Sequence, residues 1–161
     1  MITAKNTLEG EYAIKEGTTV MADAAFRECK KLTKVTIPEG MEAVSLLAFR
    51  ECVELTEVKL PSTLKKIGGY AFLKCTALKS ITLPEGVNEI GMLAFNGSGL
   101  TEIAIPASVE TIDEYAFCHC ENLTAINVAD GNEYYSSLEG VLYNKGKTTI
   151  IYAPYKVDYS K

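Results

Sequence analysis

The sequence predicts a solenoid with parallel strands stacked on one face, short helical turns on the other, and a β-hairpin cap at the C-terminal end. Three observations predict it. Phe recurs at Phe26, Phe49, Phe72, Phe95 and Phe117, in steps of 23, 23, 23 and 22 residues, and each follows an Ala. Three residues after each Phe stand Cys29, Cys52, Cys75, Ser98 and Cys120. Pro keeps the same time at Pro38, Pro61, Pro84 and Pro106. A fixed period of this length marks a stacked repeat architecture. Each unit then contacts only its neighbours, and the product is a long regular surface whose usual work is binding.

The elements follow in order. Residues 1–14 read as a degenerate first strand behind a polar lead: Glu11-Tyr12-Ala13-Ile14 matches the strand pattern, and Lys15 stands where later units have Pro. The third repeat shows the full unit. In LTEVKLP, Leu55, Val58 and Leu60 are apolar while Glu57 and Lys59 are polar, the alternation of a half-buried strand. Pro61 cannot donate to a ladder and ends it. In GYAFLKC, Ala71, Phe72 and Cys75 share one face of a short helical turn. The same columns run through the chain as Leu32, Leu55, Leu78, Leu100, Leu123, and as Val35, Val58, Ile81, Ile103, Ile126. After each Pro come Met41, Leu64, Val87, Val109 and then Val44, Ile67, Ile90, Ile112. One repeat cannot bury this apolar edge alone; stacked, the columns close into one core holding six parallel strands. The fourth repeat loses one residue at Asn96-Gly97-Ser98-Gly99, a composition suited to a tight turn. The pattern ends after Val128. Two apolar runs around Asn144-Lys145-Gly146-Lys147 read as a hairpin with a four-residue loop. The whole chain, 1–161, reads as one domain, with repeats over about residues 8–128, a cap over about 130–154, and a loosely held tail YKVDYSK.

Composition narrows the function. The net charge is −5, with no run of Lys or Arg, against the basic stripe that nucleic acid requires. No stretch has the roughly 18 apolar residues of a membrane helix, so no membrane insertion is expected. MITAKNTLEG has no apolar core, so no signal peptide is expected at this N-terminus. The five cysteines read as free thiols, because four of them share one inward repeat position. Neighbours in that column sit at about the 4.8 Å strand spacing, wider than the roughly 3.8 Å between Cβ atoms of a disulfide. Cys118 is out of phase and is the one expected to be accessible.

No constellation points to catalysis, and no metal or cofactor is expected. In Cys118-His119-Cys120 a Cys–His pair has the residue types of a nucleophile and base or of zinc ligands. Cys120 is in the core phase, however, and there is no second Cys/His cluster to complete four ligands. Asp113 and Glu114 are adjacent carboxylates on a solvated turn. Asn96-Gly97-Ser98 and Asn122-Leu123-Thr124 match the glycosylation sequon, a pattern short enough to arise by chance; Asn96, on an exposed turn, is the better placed.

A partner therefore has two surfaces to choose from. On the turn face, Leu46, Leu47, Tyr70, Met92 and Leu93 precede the Ala-Phe pairs of three consecutive repeats, with Asp23 and Glu114 at the ends of the columns. Stacking gathers them into one apolar patch, the kind of feature that marks an interaction site when exposed; the alternative is that they fold over the turns and complete the core. On the strand face, Glu11, Lys34, Thr36, Glu57, Lys59, Thr82 and Glu102 are outward. They are short or charged and lack the aromatic residues that anchor interfaces. The expected partner is a protein, or a second copy of this chain.

The repeated unit, as in LTEVKLPSTLKKIGGYAFLKC and LKSITLPEGVNEIGMLAFNGS, resembles the BspA-like, or treponemal-type, leucine-rich repeat family. The resemblance covers about residues 8–154. YSSLEGVLYNKGKTTIIYAP resembles a segment that often follows such repeats. The resemblance implies a curved leucine-rich repeat solenoid and a protein-binding or adhesive role without catalysis. It also implies a cell-surface or secreted location, whereas the N-terminus as read allows a cytoplasmic one. The competing expectation is a structural segment of a longer repeat array with no binding site of its own.

Overall fold

Alternation of apolar and polar residues sets the strands, and hydrogen bonds between successive turns of the chain hold them in register. The computed structural model describes residues 7–156; the start of the polar lead and the end of the tail lie outside the described residues. In chain order the strands are β1 (Glu9–Ala13), β2 (Lys31–Thr36), β3 (Ala43–Val44), β4 (Glu57–Lys59), β5 (Lys66–Ile67), β6 (Glu89–Ile90), β7 (Glu102–Ile105), β8 (Thr111–Ile112), β9 (Ala125–Val128), β10 (Tyr135–Leu138), β11 (Val141–Asn144) and β12 (Ile150–Tyr152). β1, β2 and β4 pair in parallel with Tyr12, Val35 and Val58 in one row. β7 and β9 continue that side, with Ile103 opposite Ile126.

Five of the six expected strands thus form ladders, and the fourth, around residues 79–83, does not. The break falls where a reinforcing column is interrupted. The hydroxyls of Thr56, Thr101 and Thr124 donate to the carbonyls of Thr33, Lys79 and Thr101 one turn earlier. Lys79 holds the fourth position of that column and has no hydroxyl to contribute.

A second parallel sheet, β3-β5-β6-β8, pairs Val44, Ile67, Ile90 and Ile112 in series. The sequence marks these as core positions but not as strands, since two-residue ladders are too short to show alternation. The turn side also differs from expectation: no α-helix occurs among the described residues. Each segment is a row of β-turns. Alternate N–H groups close turns within the segment, as Ala48 N to Ser45 O and Arg50 N to Leu47 O. The others donate to the next turn of the solenoid: Leu47 N to Gly69 O, Phe49 N to Ala71 O, Glu51 N to Leu73 O. A helix spends every interior N–H within itself, so it is incompatible with bonding to a neighbour at every second residue.

One cluster of buried side chains runs from Met21 to Leu142 and so joins the repeats to the cap. Phe26, Phe49, Phe72, Phe95 and Phe117 form a continuous stack, with ring centroids 5.1 to 5.8 Å apart and planes within 9° of parallel. Tyr12 and Tyr152 close its two ends as tilted rings at 5.7 and 6.0 Å. No disulfide joins the cysteines. Cys29, Cys52, Cys75 and Cys120 are buried, and the Cys52, Cys75 and Cys120 thiols donate at 3.0 to 3.1 Å to the carbonyls of Phe26, Phe49 and Phe95. A small side chain that is apolar in bulk and still donates weakly suits this position.

The cap is a three-stranded antiparallel sheet, β10-β11-β12, rather than a single hairpin. Its anchor is Asn132, fully buried with every polar bond made. The Asn132 amide donates to Pro106 O and Val109 O at 3.0 and 2.8 Å, and its Oδ1 accepts from Tyr134 N and Tyr135 N. The Tyr135 hydroxyl accepts from Ile112 N at 2.8 Å, taking the place of a further turn's carbonyl at the end of the second sheet. The Lys145 ammonium donates to Asn132 O.

Candidate partner-binding surface

Leu46, Met92 and Tyr115 stand out on the turn side, 43%, 45% and 51% exposed. Leu47, Tyr70 and Leu93 beside them are half-buried. The five residues expected to form an apolar patch are thus gathered on one side of three successive turns, and Tyr115 extends the strip. Gly69 lies between Leu46 and Met92, and the Leu46 side chain leans over it: a Cβ there would meet Leu46 Cδ1 at 3.4 Å. The Tyr70 hydroxyl points to Met92 Sδ at 3.9 Å.

The backbone beneath this strip is strained. Ala24, Leu47, Tyr70 and Leu93 hold φ between +54° and +60°. That left-handed conformation costs an L-residue about 1–2 kcal/mol. A second left-handed column closes each turn segment: Glu28, Glu51, Lys74, Gly97 and His119, with φ of +57° to +63°. The two columns solve one steric problem with different side chains. The closing column is polar or glycine, whereas the other carries Leu, Tyr and Leu.

The closing column borders a groove of about 620 Å³, lined among others by Lys30, Glu51, Lys74, Gly97, Gly99 and His119. It opens where the fourth repeat drops a residue. Gly99 packs so closely under the preceding turn that a Cβ would stand 2.2 Å from Thr76 O. The Glu51 carboxyl is held below the usual carboxylate range, first by its hydrogen bond to Arg50 and then by the nearby Arg50, Lys74 and Lys30 charges. The groove is of mixed sign and has no convergent set of reactive groups.

The strand side is as polar as the sequence reading has it. Glu11, Glu57, Lys59, Thr82 and Glu102 are exposed, and Lys34 and Thr36 are half-buried. Lys34 and Glu57 are opposite each other in register and form an ion pair at 3.2 Å. Such an exposed pair contributes about 0–1 kcal/mol.

The sulfur and carboxylate groups singled out earlier do not converge. Cys120 is buried and Cys118 is half-buried, and the exposed His119 lies between them in the closing column. Burial, then the Asp113 and Glu114 charges, push the Cys118 thiol up, the opposite of an activated nucleophile. No group of three or more His, Cys, Asp or Glu side chains among the described residues is placed to hold a metal. No helix among them is long and apolar enough to cross a membrane. Of the sequon residues, Asn96 is half-buried, and Ser98 is buried with its hydroxyl 3.5 Å from Cys120 Sγ. Sequence reasoning missed Tyr115 as part of the strip and Asn132 as the cap anchor. Tyr115 is discoverable from its place in the Leu47-Tyr70-Leu93 column.

Among protein families, the chain matches the BspA type leucine rich repeat region, in six copies over residues 6–124 and 44–154. No curated protein matches its sequence. A leucine-rich repeat protein from Eubacterium ventriosum is 30% identical with a TM-score of 0.88, over 97% of this chain and 41% of that one. The T. pallidum leucine rich repeat protein is 30% identical with a TM-score of 0.63, over 72% of this chain and 50% of that one. A leucine rich cell surface protein from Faecalibacterium prausnitzii is 26% identical with a TM-score of 0.62, over 91% of this chain and 46% of that one. The chain spans half or less of the length of each of these proteins.

Proposed function

The chain belongs to the BspA-type leucine-rich repeat family, and from that membership we propose that it is an adhesive protein-binding module of a cell surface, taking its partner on the turn face. Leucine-rich repeat solenoids are interaction modules and typically carry no catalysis, so function here is a matter of surface. The observation that carries the choice of face is the exposed strip of Leu46, Met92 and Tyr115 beside Leu47, Tyr70 and Leu93. Exposed apolar side chains grouped in this way supply the desolvated centre of an interface. The strand face offers short and charged side chains that would serve as a rim. The surface location draws on the similar Faecalibacterium prausnitzii protein, described as a cell surface protein.

The test is surface plasmon resonance of the chain over a panel of immobilised extracellular-matrix proteins, with the Leu46→Ser, Met92→Ser double variant beside it. The expected result is saturable binding to at least one of them, lost in a double variant whose circular dichroism and melting are unchanged. Binding retained by the folded variant moves the site to the strand face. A second reading, a structural segment within a longer array, is favoured by the chain's spanning half or less of its relatives. Absence of saturable binding across the panel supports that reading and overturns the first.

A further inference from the structure

We infer that the apolar strip on the turn face takes a basic amphipathic segment of a partner protein, a row of apolar side chains flanked by Lys or Arg. This rests on the reading of the turn face as the binding surface and adds the chemistry of its occupant.

The first observation is the strained column. Leu47, Tyr70 and Leu93 hold left-handed backbone at φ of +60°, +57° and +54°. A bulky residue there is a conformational outlier, and such strain gathers at ligand contacts. The fold itself does not require apolar side chains in that conformation, because the closing column meets the same geometry with Glu51, Lys74, Gly97 and His119. Nor does the core use them fully, since all three are half-buried. They are held in a row beside the exposed Leu46 and Met92.

The second observation is the charge around the strip. Asp23 stands at one end, and Asp113 and Glu114 at the other. No ion pair among the described residues reaches any of the three. The two arginines of the turn face are already matched, Arg27 to Glu28 at 2.9 Å and Arg50 to Glu51 at 3.0 Å. Lys30 and Lys74 belong to the closing end of the segments, where they line the groove, so the rim at the two ends of the strip itself is acidic. A second copy laid along the strip brings acid against acid in either direction, Asp23 against Asp23 or Asp23 against Glu114. An apolar ridge with basic flanks matches both the strip and its rim, and like-charge contact rejects acidic competitors.

The probe is a fluorescein-labelled amphipathic peptide of leucine and lysine, titrated with the full chain at low salt, beside the same peptide with glutamate in place of lysine. The lysine peptide should bind saturably and weaken as salt is raised, and the glutamate peptide should not bind. Asp23→Asn with Glu114→Gln should weaken the lysine peptide on the order of tenfold, the sum of two exposed charge pairs. Leu47→Gly with Leu93→Gly should abolish binding at an unchanged or higher melting temperature, because glycine relieves the left-handed backbone. Equal binding of the two peptides, no binding of the lysine peptide, or binding untouched by both double variants overturns the inference. So does a concentration-dependent dimer that the glycine variant dissolves, which makes a second copy the occupant. None of these results moves the matrix-protein assay with Leu46→Ser and Met92→Ser, so the basic segment can fail while the turn face stands.

Discussion

Truncating Phe72 to Ala tests the axis of the solenoid. Its ring is fully buried and stacks on Phe49 and Phe95 at 5.4 Å on either side. Deleting a buried Phe costs about 3–5 kcal/mol through lost transfer energy and the cavity left behind. Two aromatic contacts, each worth about 0.5–1.5 kcal/mol beyond burial, push the expected cost into the upper half of that range. Phe26 is only half-buried and has one parallel neighbour, Phe49, with Tyr12 tilted on its other side. Phe26→Ala should therefore cost less, about 2–3 kcal/mol. Urea titration followed by circular dichroism measures both, and in a chain of this size the Phe72 loss lowers Tm by about 10 °C or more. A loss under about 1 kcal/mol at Phe72, or a Phe26 loss equal to it, refutes the argument from the stack.

Other outcomes follow from the buried polar groups. A thiol reagent should modify Cys118 in the native protein and spare Cys29, Cys52, Cys75 and Cys120, with all five free on denaturation without reductant; a Cys29–Cys52 or Cys52–Cys75 bridge refutes the thiol ladder. Burial pushes the Cys52 thiol up to about 12 from an ordinary 9.0, and raises those of Cys75 and Cys120. The folded chain then keeps protons that the unfolded chain releases, so this stability is complete below pH 9.0 and falls as pH rises toward 12. Cys52→Ala should flatten that alkaline slope in urea titrations, and an unchanged slope contradicts the assignment. Asn132→Asp faces a carboxylate to the Pro106 and Val109 carbonyls; it should cost about 2–4 kcal/mol at neutral pH, from orphaned buried groups. Hydrogen exchange should quicken in the cap strands before the repeats, as the segment loses its hold on the Pro106 and Val109 carbonyls, and slow again as acid protonates the new carboxyl; uniform exchange across cap and repeats refutes the anchor role.

The repeat columns were legible because each buried position recurs with the same residue type: Leu32 through Leu123 are all fully buried, as is Val44 through Ile90. The turn segments misled for a physical reason. Ala, Phe and Cys at i, i+1 and i+4 lie together on a helix, but they also face inward from a row of β-turns, and residue pattern alone cannot tell where the N–H groups go. Bonds such as Phe49 N to Ala71 O are made between repeats. β10 was invisible because Ser136 and Ser137 break the apolar alternation, and the Asn132 anchor reads in sequence as an ordinary turn residue. The patch residues were placed together by repeat phase alone. The backbone strain under Leu47, Tyr70 and Leu93 had no sequence signal, since nothing in Leu or Tyr marks a left-handed position.

The inter-repeat bonds of the turn side have a mechanical consequence. Within the rows of β-turns they run in one sense, Ala24 N to Leu46 O, Tyr70 N to Met92 O, Gly97 N to Cys118 O. Pulled apart at its two ends, such a stack is loaded along these bonds, and they open as a zipper does, one row at a time. Each row that peels frees a loop of nearly constant length, about 80 Å of chain for one period at full extension. The near-identical periods make such releases uniform, so stretching the chain by its ends in a force experiment should show even increments, with the remaining coils keeping their shape.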